Sequence, residues 1–183
     1  MQTELNSTDI PGLQIIRVKR TIDPRGLFIK PFSNQLLAQH GIQFDVKETF
    51  FSVSSERVLR GMHFQSPPHQ HAKLVFCLAG RVLDVILDLR VDSSAFGRTS
   101  AMKLDAKDPT LIYIPPGLAH GFYTESHDSL LGYWVDSAYS EANDLGILWN
   151  SIDFKWPDQK PILSERDLTF PSLKDFSSPF SMV

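Results

Sequence analysis

Eight short segments rich in β-branched and aromatic residues recur along the sequence, most of them flanked by turn signals: LQIIRVK, ETFFSVSS, RVLRGMHF, KLVFCLAG, RVLDVILDL, TLIYIPP, HGFYTES and SLLGYWVD. Such residues suit a pleated, half-buried backbone, and the runs are too short for amphipathic helices. Strand and turn alternating at this spacing predict an all-β sandwich or barrel. RVLDVILDLR alternates only in part, so its strand is expected to be buried on much of both faces. Ala79-Gly80-Arg81 reads as a tight hairpin between two such strands. One helix is expected from Asn34 to His40, with Ser33 or Asn34 as its cap and Gly41 as its stop. After Trp149 the chain turns polar and proline-punctuated, and the last ten residues are expected to be poorly ordered or draped over the surface.

No linker-like stretch divides the 183 residues, so a single domain spanning 1–183 is expected. A hydrophobic fraction of 42% supplies a sizeable core and argues against disorder. The formal net charge of -3 gives no general attraction to nucleic acid or to an anionic membrane. It leaves room for a small anionic ligand held by a few local arginines. The N-terminal MQTELNSTDIPGL lacks a basic region followed by an apolar run, and no stretch has the length to span a bilayer. A soluble cytoplasmic location is therefore expected. Cys77 is the one cysteine, so no intramolecular disulfide can form, and in LVFCLAG it reads as a small buried hydrophobe.

Among the six histidines, His69, His71 and His120 form one grouping. His69-Gln70-His71 followed by Pro115-Pro116-Gly117-Leu118-Ala119-His120 resembles the two metal motifs of the cupin superfamily. Three histidines would suit a transition metal with open positions. The acid those motifs carry about four residues on falls at Val75 or Phe76, and the asparagine after the last histidine is Thr124. The resemblance thus implies the double-stranded β-helix barrel more firmly than it implies a metal.

A second grouping is more specific. Asp23-Pro24-Arg25-Gly26, Arg60-Gly61-Met62-His63-Phe64-Gln65, Lys73-Leu74-Val75 and Pro116 to Phe122 occur in that order. Tyr133, Tyr139, Ile147-Leu148-Trp149-Asn150 and Leu163-Ser164-Glu165-Arg166-Asp167 follow. From about Gly12 to Leu173 the chain resembles the dTDP-4-dehydrorhamnose 3,5-epimerase family in order and spacing. The resemblance implies a cupin-like jelly roll with short peripheral helices, a strand-exchanged homodimer and no metal or other cofactor. It also implies a nucleotide-sugar substrate destined for lipopolysaccharide or another surface glycan.

The chemistry explains why these residue types belong together. A 4-keto sugar has acidic hydrogens at C3 and C5, both α to the carbonyl, and a base near neutral pKa can remove one to give an enolate. Histidine suits that task. The resemblance assigns the base to His63 and its orienting carboxylate to Asp167. Inversion also needs a proton returned from the opposite face, and Tyr133 matches the family's acid. Lys73 matches the support for the enolate oxygen. Arg25 and Arg60 match residues that hold the diphosphate or sugar, with Arg25 reaching in from the neighbouring subunit. Tyr139 matches a base-stacking or diphosphate-contacting tyrosine, while His120 and Asp84 match polar residues near the base and enolate.

Several positions depart from the family pattern. Glu48-Thr49-Phe50-Phe51 stands where Q-D-N-H is usual, Lys30 where a glutamate is usual, and Asp144 replaces a glutamate. With Glu48 and Lys30 read as substrate contacts, retained proton chemistry on a changed nucleotide or sugar is expected. A glutamate can accept from thymine N3-H, whereas an ammonium only donates and suits the acceptor edge of cytosine. Lys30 therefore favours a CDP-linked substrate, with a dTDP-linked one as the alternative. Competing readings are a sugar-nucleotide 3,4-ketoisomerase, a metal-dependent cupin enzyme and a non-enzymatic sugar-binding module.

Overall fold

The structure, a computed structural model, describes residues 5–182. These form thirteen strands: β1 Leu5–Ser7, β2 Gln14–Arg17, β3 Arg20–Asp23, β4 Gly26–Ile29, β5 Glu48–Ser54, β6 Leu59–Gln65, β7 Lys73–Ala79, β8 Arg81–Asp88, β9 Thr99–Asp105, β10 Thr110–Ile114, β11 Leu118–Thr124, β12 Ser129–Val135 and β13 Asp144–Gly146. Helices are short, with α1 at Asn34–Gln39 and α2 at Glu165–Leu168. The expected all-β jelly roll with peripheral helices is what the chain adopts.

Two antiparallel sheets carry the fold. One has the order β1-β2-β10-β7-β12-β5 and the other β13-β6-β11-β8-β9, while β3 and β4 pair as a separate hairpin. Side chains alternate between the faces of a strand, so each sheet offers one face to the space between them. On β8, Val82 and Ile86 join the core between the sheets, with Val75, Phe122 and Leu131. The intervening Val85 and Leu87 join a second cluster with Trp149, Trp156 and Phe180 from the C-terminal segment. This explains the imperfect alternation of RVLDVILDLR: the strand is apolar on both faces because both are covered. The outer face of the other sheet is covered by Leu37 of α1 and Ile42, packed on Ile16, Leu74 and Leu111.

Helix α1 starts where expected. The Ser33 hydroxyl accepts from Leu36 N–H at 3.1 Å, and the helix stops before Gly41, whose φ of +71° suits a glycine. Of the last ten residues, the described ones, 174–182, are draped and anchored: Phe180 is buried edge-on against Phe64, and its carbonyl accepts from Val91 N–H.

One expectation is corrected. Ala79-Gly80-Arg81 makes a tight turn, but it does not close a hairpin, because β7 and β8 belong to different sheets. Gly80 instead passes the chain between sheets, so close to Ser129 that a Cβ would lie 2.6 Å from its hydroxyl oxygen. Among the described residues no helix is long and apolar enough to cross a membrane. Cys77 is buried in the inter-sheet core, and burial pushes its thiol up to about 12.

Candidate active site

A cavity of about 400 Å³ opens between the two sheets, and the two-residue period of each strand lines it. β5 contributes Glu48, Phe50 and Ser52, β6 contributes His63 and Gln65, β11 contributes His120 and Phe122, and β12 contributes Tyr133 and Val135. Lys73 enters at the start of β7. His63 and His120 thus come from one sheet, and Lys73 and Tyr133 from the other.

His63 and His120 are cross-strand partners on β6 and β11. Each ends on a carboxylate. His63 Nε2 lies 2.9 Å from Asp167 Oδ1, and His120 Nε2 lies 2.7 Å from Asp84 Oδ2. Both acids sit behind their histidines, buried, so each carboxylate fixes its ring's tautomer and orientation. With Nε2–H donating to Asp167, His63 keeps Nδ1 as its free lone pair.

Asp167 is placed by two hydrogen bonds besides the one to His63. Ser164 caps α2, its hydroxyl accepting from Asp167 N–H at 3.1 Å, and Gly61 N–H donates to Asp167 Oδ2 at 3.1 Å. Burial alone would raise the carboxyl pKa. The His63 bond and charge, with the Gly61 and Ser164 bonds, outweigh it and hold Asp167 below the usual carboxylate range. A Cβ on Gly61 would lie 2.5 Å from Gly121 Cα, so glycine here lets β6 and β11 approach closely. Phe170 meets the His63 ring edge-on with centroids 5.6 Å apart, and fills the space over Gly146.

On the facing sheet, Lys73 is buried and its Nζ donates to His63 O at 3.3 Å. Burial lowers its pKa to about 8, against the pull of the Asp144 and Asp84 carboxylates. Tyr133 is buried with its hydroxyl 3.4 Å from Ser52 Oγ, and burial pushes the phenol well above its ordinary value. The cavity therefore holds a carboxylate-oriented imidazole on one wall and a protonated phenol and an amine on the other. That arrangement can remove a proton from one face of a bound carbon acid and return one to the opposite face.

Arg60, held by Ser54 Oγ at 3.0 Å, and Tyr139, whose backbone N–H donates to Glu48 at 3.1 Å, stand among the lining residues. Three expected substrate contacts do not: Asp84 is fully buried behind His120, and Arg25 and Lys30 lie outside the cavity. Arg25 sits in the β3–β4 turn with its side chain exposed and paired to Asp23 at 2.6 Å, and Lys30 follows β4, exposed. Neither lines the cavity of its own chain, because the hairpin pairs with neither sheet.

Arg166, Asp144, His71 and Ser137 also line the cavity; sequence reasoning offered His71 only as a metal ligand and Asp144 only as a departure from the family pattern, and gave Arg166 and Ser137 no role. Arg166 sits in the Leu163 to Asp167 motif beside the dyad acid, which was the available signal. It pairs with Asp144 at 2.8 Å and lies 5.2 Å over the Phe170 ring. The three histidines of the cupin-like motifs do not form a ligand set. His120 is bound to Asp84, His71 Nδ1 faces Gln65 Nε2 at 2.8 Å, and His69 offers its carbonyl to the same amide. Among the described residues no three His, Cys, Asp or Glu side chains converge as metal ligands. The donors present do not fit a resident metal.

Comparison with known proteins agrees with this geometry. The family model described as dTDP-4-dehydrorhamnose 3,5-epimerase matches residues 7–175. The chain is 39% identical over 164 residues to the enzyme of that name from Mycolicibacterium smegmatis, covering 88% of this chain and 81% of that one. It is 36% identical over 164 residues to that from Shigella flexneri, covering 88% and 91%. A solved dTDP-6-deoxy-D-glucose-3,5-epimerase from Legionella pneumophila, in complex with dTDP-4-keto-L-rhamnose, superposes with a TM-score of 0.94 at 30% identity over 100% of both chains. With its jelly roll, its paired histidine and carboxylate and its relatives in agreement, this chain belongs to the dTDP-4-dehydrorhamnose 3,5-epimerase family of nucleotide-sugar epimerases.

Proposed function

We propose that the enzyme inverts C3 and C5 of dTDP-4-keto-6-deoxyglucose through an enolate, using only its own side chains. The observation that carries this reading is the placement of the His63–Asp167 pair and of Tyr133 on opposite sheets of one cavity. His63 Nδ1 takes the proton α to the carbonyl, and the C–H electron pair moves into the ring to leave charge on the carbonyl oxygen. The Lys73 ammonium stabilises that oxygen. Tyr133 gives its phenolic proton to the other face of the carbon, and solvent then restores Tyr133 and takes the proton from His63. A ketoisomerase would also begin with an enolate but would have to move the carbonyl, a task for which an acid facing the base across the ring is not required.

Arg60 binds the diphosphate in this reading, with Tyr139 and Glu48 at the nucleotide end. Arg25 reaches a neighbouring protomer's cavity. The exposure of Ile22, Leu27 and Phe28 around it supports a hairpin that packs on a second copy of the chain. dTDP is the nucleotide favoured by the relatives' names. The cytidine preference expected from Lys30 requires the same hairpin to cross between subunits. Incubation with dTDP- and CDP-4-keto-6-deoxyglucose in deuterated water, read by NMR, tests the reading. Deuterium at C3 and C5 with inverted configuration is expected, at higher kcat/KM for dTDP. Absence of exchange at both carbons with both nucleotides would sink the epimerase reading.

A further inference from the structure

The ring of Tyr133 lies on the ring of Phe50, with centroids 4.8 Å apart and planes within 17° of parallel. The sheet dictates this contact. Phe50 on β5 and Tyr133 on β12 are direct cross-strand partners, so their side chains leave the same face. Phe50 is 47% exposed, lines the cavity and brings no hydrogen-bonding side-chain atom to it. The Tyr133 hydroxyl has one side-chain partner among the described residues, Ser52 Oγ at 3.4 Å. A bond that long is weak and cannot by itself aim the phenol. His120 meets the Tyr133 ring edge-on from farther off, with centroids 6.0 Å apart. The closest ring against the phenol is that of Phe50.

We propose that Phe50 is a positioning residue for Tyr133: its ring holds the phenol at the cavity wall, so that proton return depends on it while proton removal does not. This inference rests on the epimerase reading above. A planar enolate can be protonated on either face. When the phenol swings away, His63 returns a proton to the face it came from, and that proton has exchanged with solvent. The product is then starting material carrying deuterium. Losing Phe50 should therefore uncouple exchange from inversion.

The test measures both rates with dTDP-4-keto-6-deoxyglucose in deuterated water, for the unaltered enzyme, Phe50→Leu and Phe50→Tyr. Phe50→Leu is expected to keep exchange within about 2-fold while inversion per exchange event falls about 2- to 10-fold, the range a lost aromatic pair supports. Phe50→Tyr restores a stacked ring and should restore the ratio. Placed in a Tyr133→Phe background, Phe50→Leu should change inversion no further, since the group it positions has lost its proton. Exchange and inversion falling in parallel in Phe50→Leu, or an unchanged ratio, would overturn the positioning role and leave the epimerase reading standing. A Phe50→Leu chain that fails to fold would also overturn it, because the residue would then serve the sheet as a whole. Absence of exchange in the unaltered enzyme would instead remove the epimerase reading and this role with it.

Discussion

The Nε2 of His63 lies 2.9 Å from Oδ1 of Asp167, a residue 104 positions away that the Ser164-capped turn of α2 delivers to the back of the ring. In the proposed mechanism the carboxylate holds one tautomer and stabilises the imidazolium that proton abstraction creates. His63→Asn should abolish deuterium exchange at C3 and C5 while the chain stays folded. Asp167→Asn keeps the shape of the contact but not its charge, and should slow exchange by about 10²- to 10⁴-fold. Single-turnover NMR in deuterated water measures both. Near-normal exchange in His63→Asn would remove that residue from its role.

Lys73 carries two opposite pH dependences. Its folded pKa is about 8 against an ordinary 10.5, so between those values the unfolded chain binds more protons. This residue's contribution to stability therefore rises with pH across that window. In the proposed mechanism the enolate, in contrast, needs the ammonium, so kcat/KM, which reports groups of the free enzyme, should fall above about pH 8. Lys73→Met should lose about 10²- to 10³-fold in kcat. It should also melt higher than the unaltered protein near neutral pH, with the difference shrinking toward the ordinary lysine range. Melting curves and kcat/KM across this range check both. A kcat/KM that stays flat through the window would count against a role for the Lys73 charge.

Much of the barrel is legible in the sequence because β6, β7, β8, β10, β11 and β12 are runs of apolar and aromatic residues. β9 is not, since TSAMKLD buries only Leu104 fully and carries no β-branched run. The turn at Ala79-Gly80-Arg81 shows where the lesson stops: a turn is written locally, but which sheet the next strand joins is decided by distant partners. The site divides likewise. Asp167 on its own is one acid in a polar loop, and only its motif links it to His63. Phe50 is visible in sequence as a departure from a pattern, yet its contact with Tyr133 depends on the β5–β12 register. Arg166 and His71 carry no strand periodicity that would mark them, since one lies on a four-residue helix and the other just before β7.

Gly61→Ala should damage fold and site together. A Cβ there would lie 2.5 Å from Gly121 Cα and 3.0 Å from His120 O, both backbone, at a φ of +135°. Neither neighbour can turn aside as a side chain could, so β6 and β11 must separate, and these strands carry His63 and His120. Overpacking of this kind costs about 1 to 3 kcal/mol, and the backbone strain adds a similar amount. Gly97→Ala is the matched comparison, with a φ of +74° but nothing within 4 Å of the added carbon. Denaturant unfolding of both variants is decisive: equal losses would mean that the close approach at Gly61 is unimportant.

Arg25 offers a test of whether each cavity is completed by a neighbour. The residue sits at the tip of β3–β4, exposed and outside its own cavity, while Ile22 at 69% and Phe28 at 64% exposure leave the hairpin with apolar surface. If that surface packs on a second protomer, Arg25→Ala and His63→Asn impair each cavity through different chains. Mixed after partial unfolding and refolding, the two variants should complement. About half the dimers formed at random from equal amounts are mixed, and each mixed dimer holds one cavity with an intact His63 and an intact partner Arg25. Activity should recover to about a quarter of that of the unaltered enzyme, from two preparations that are each strongly impaired. Sedimentation run alongside should show a dimer in every sample. Recovery no greater than the sum of the separate activities, with dimers present, would place Arg25 outside the neighbouring cavity, and the hairpin would then serve assembly alone.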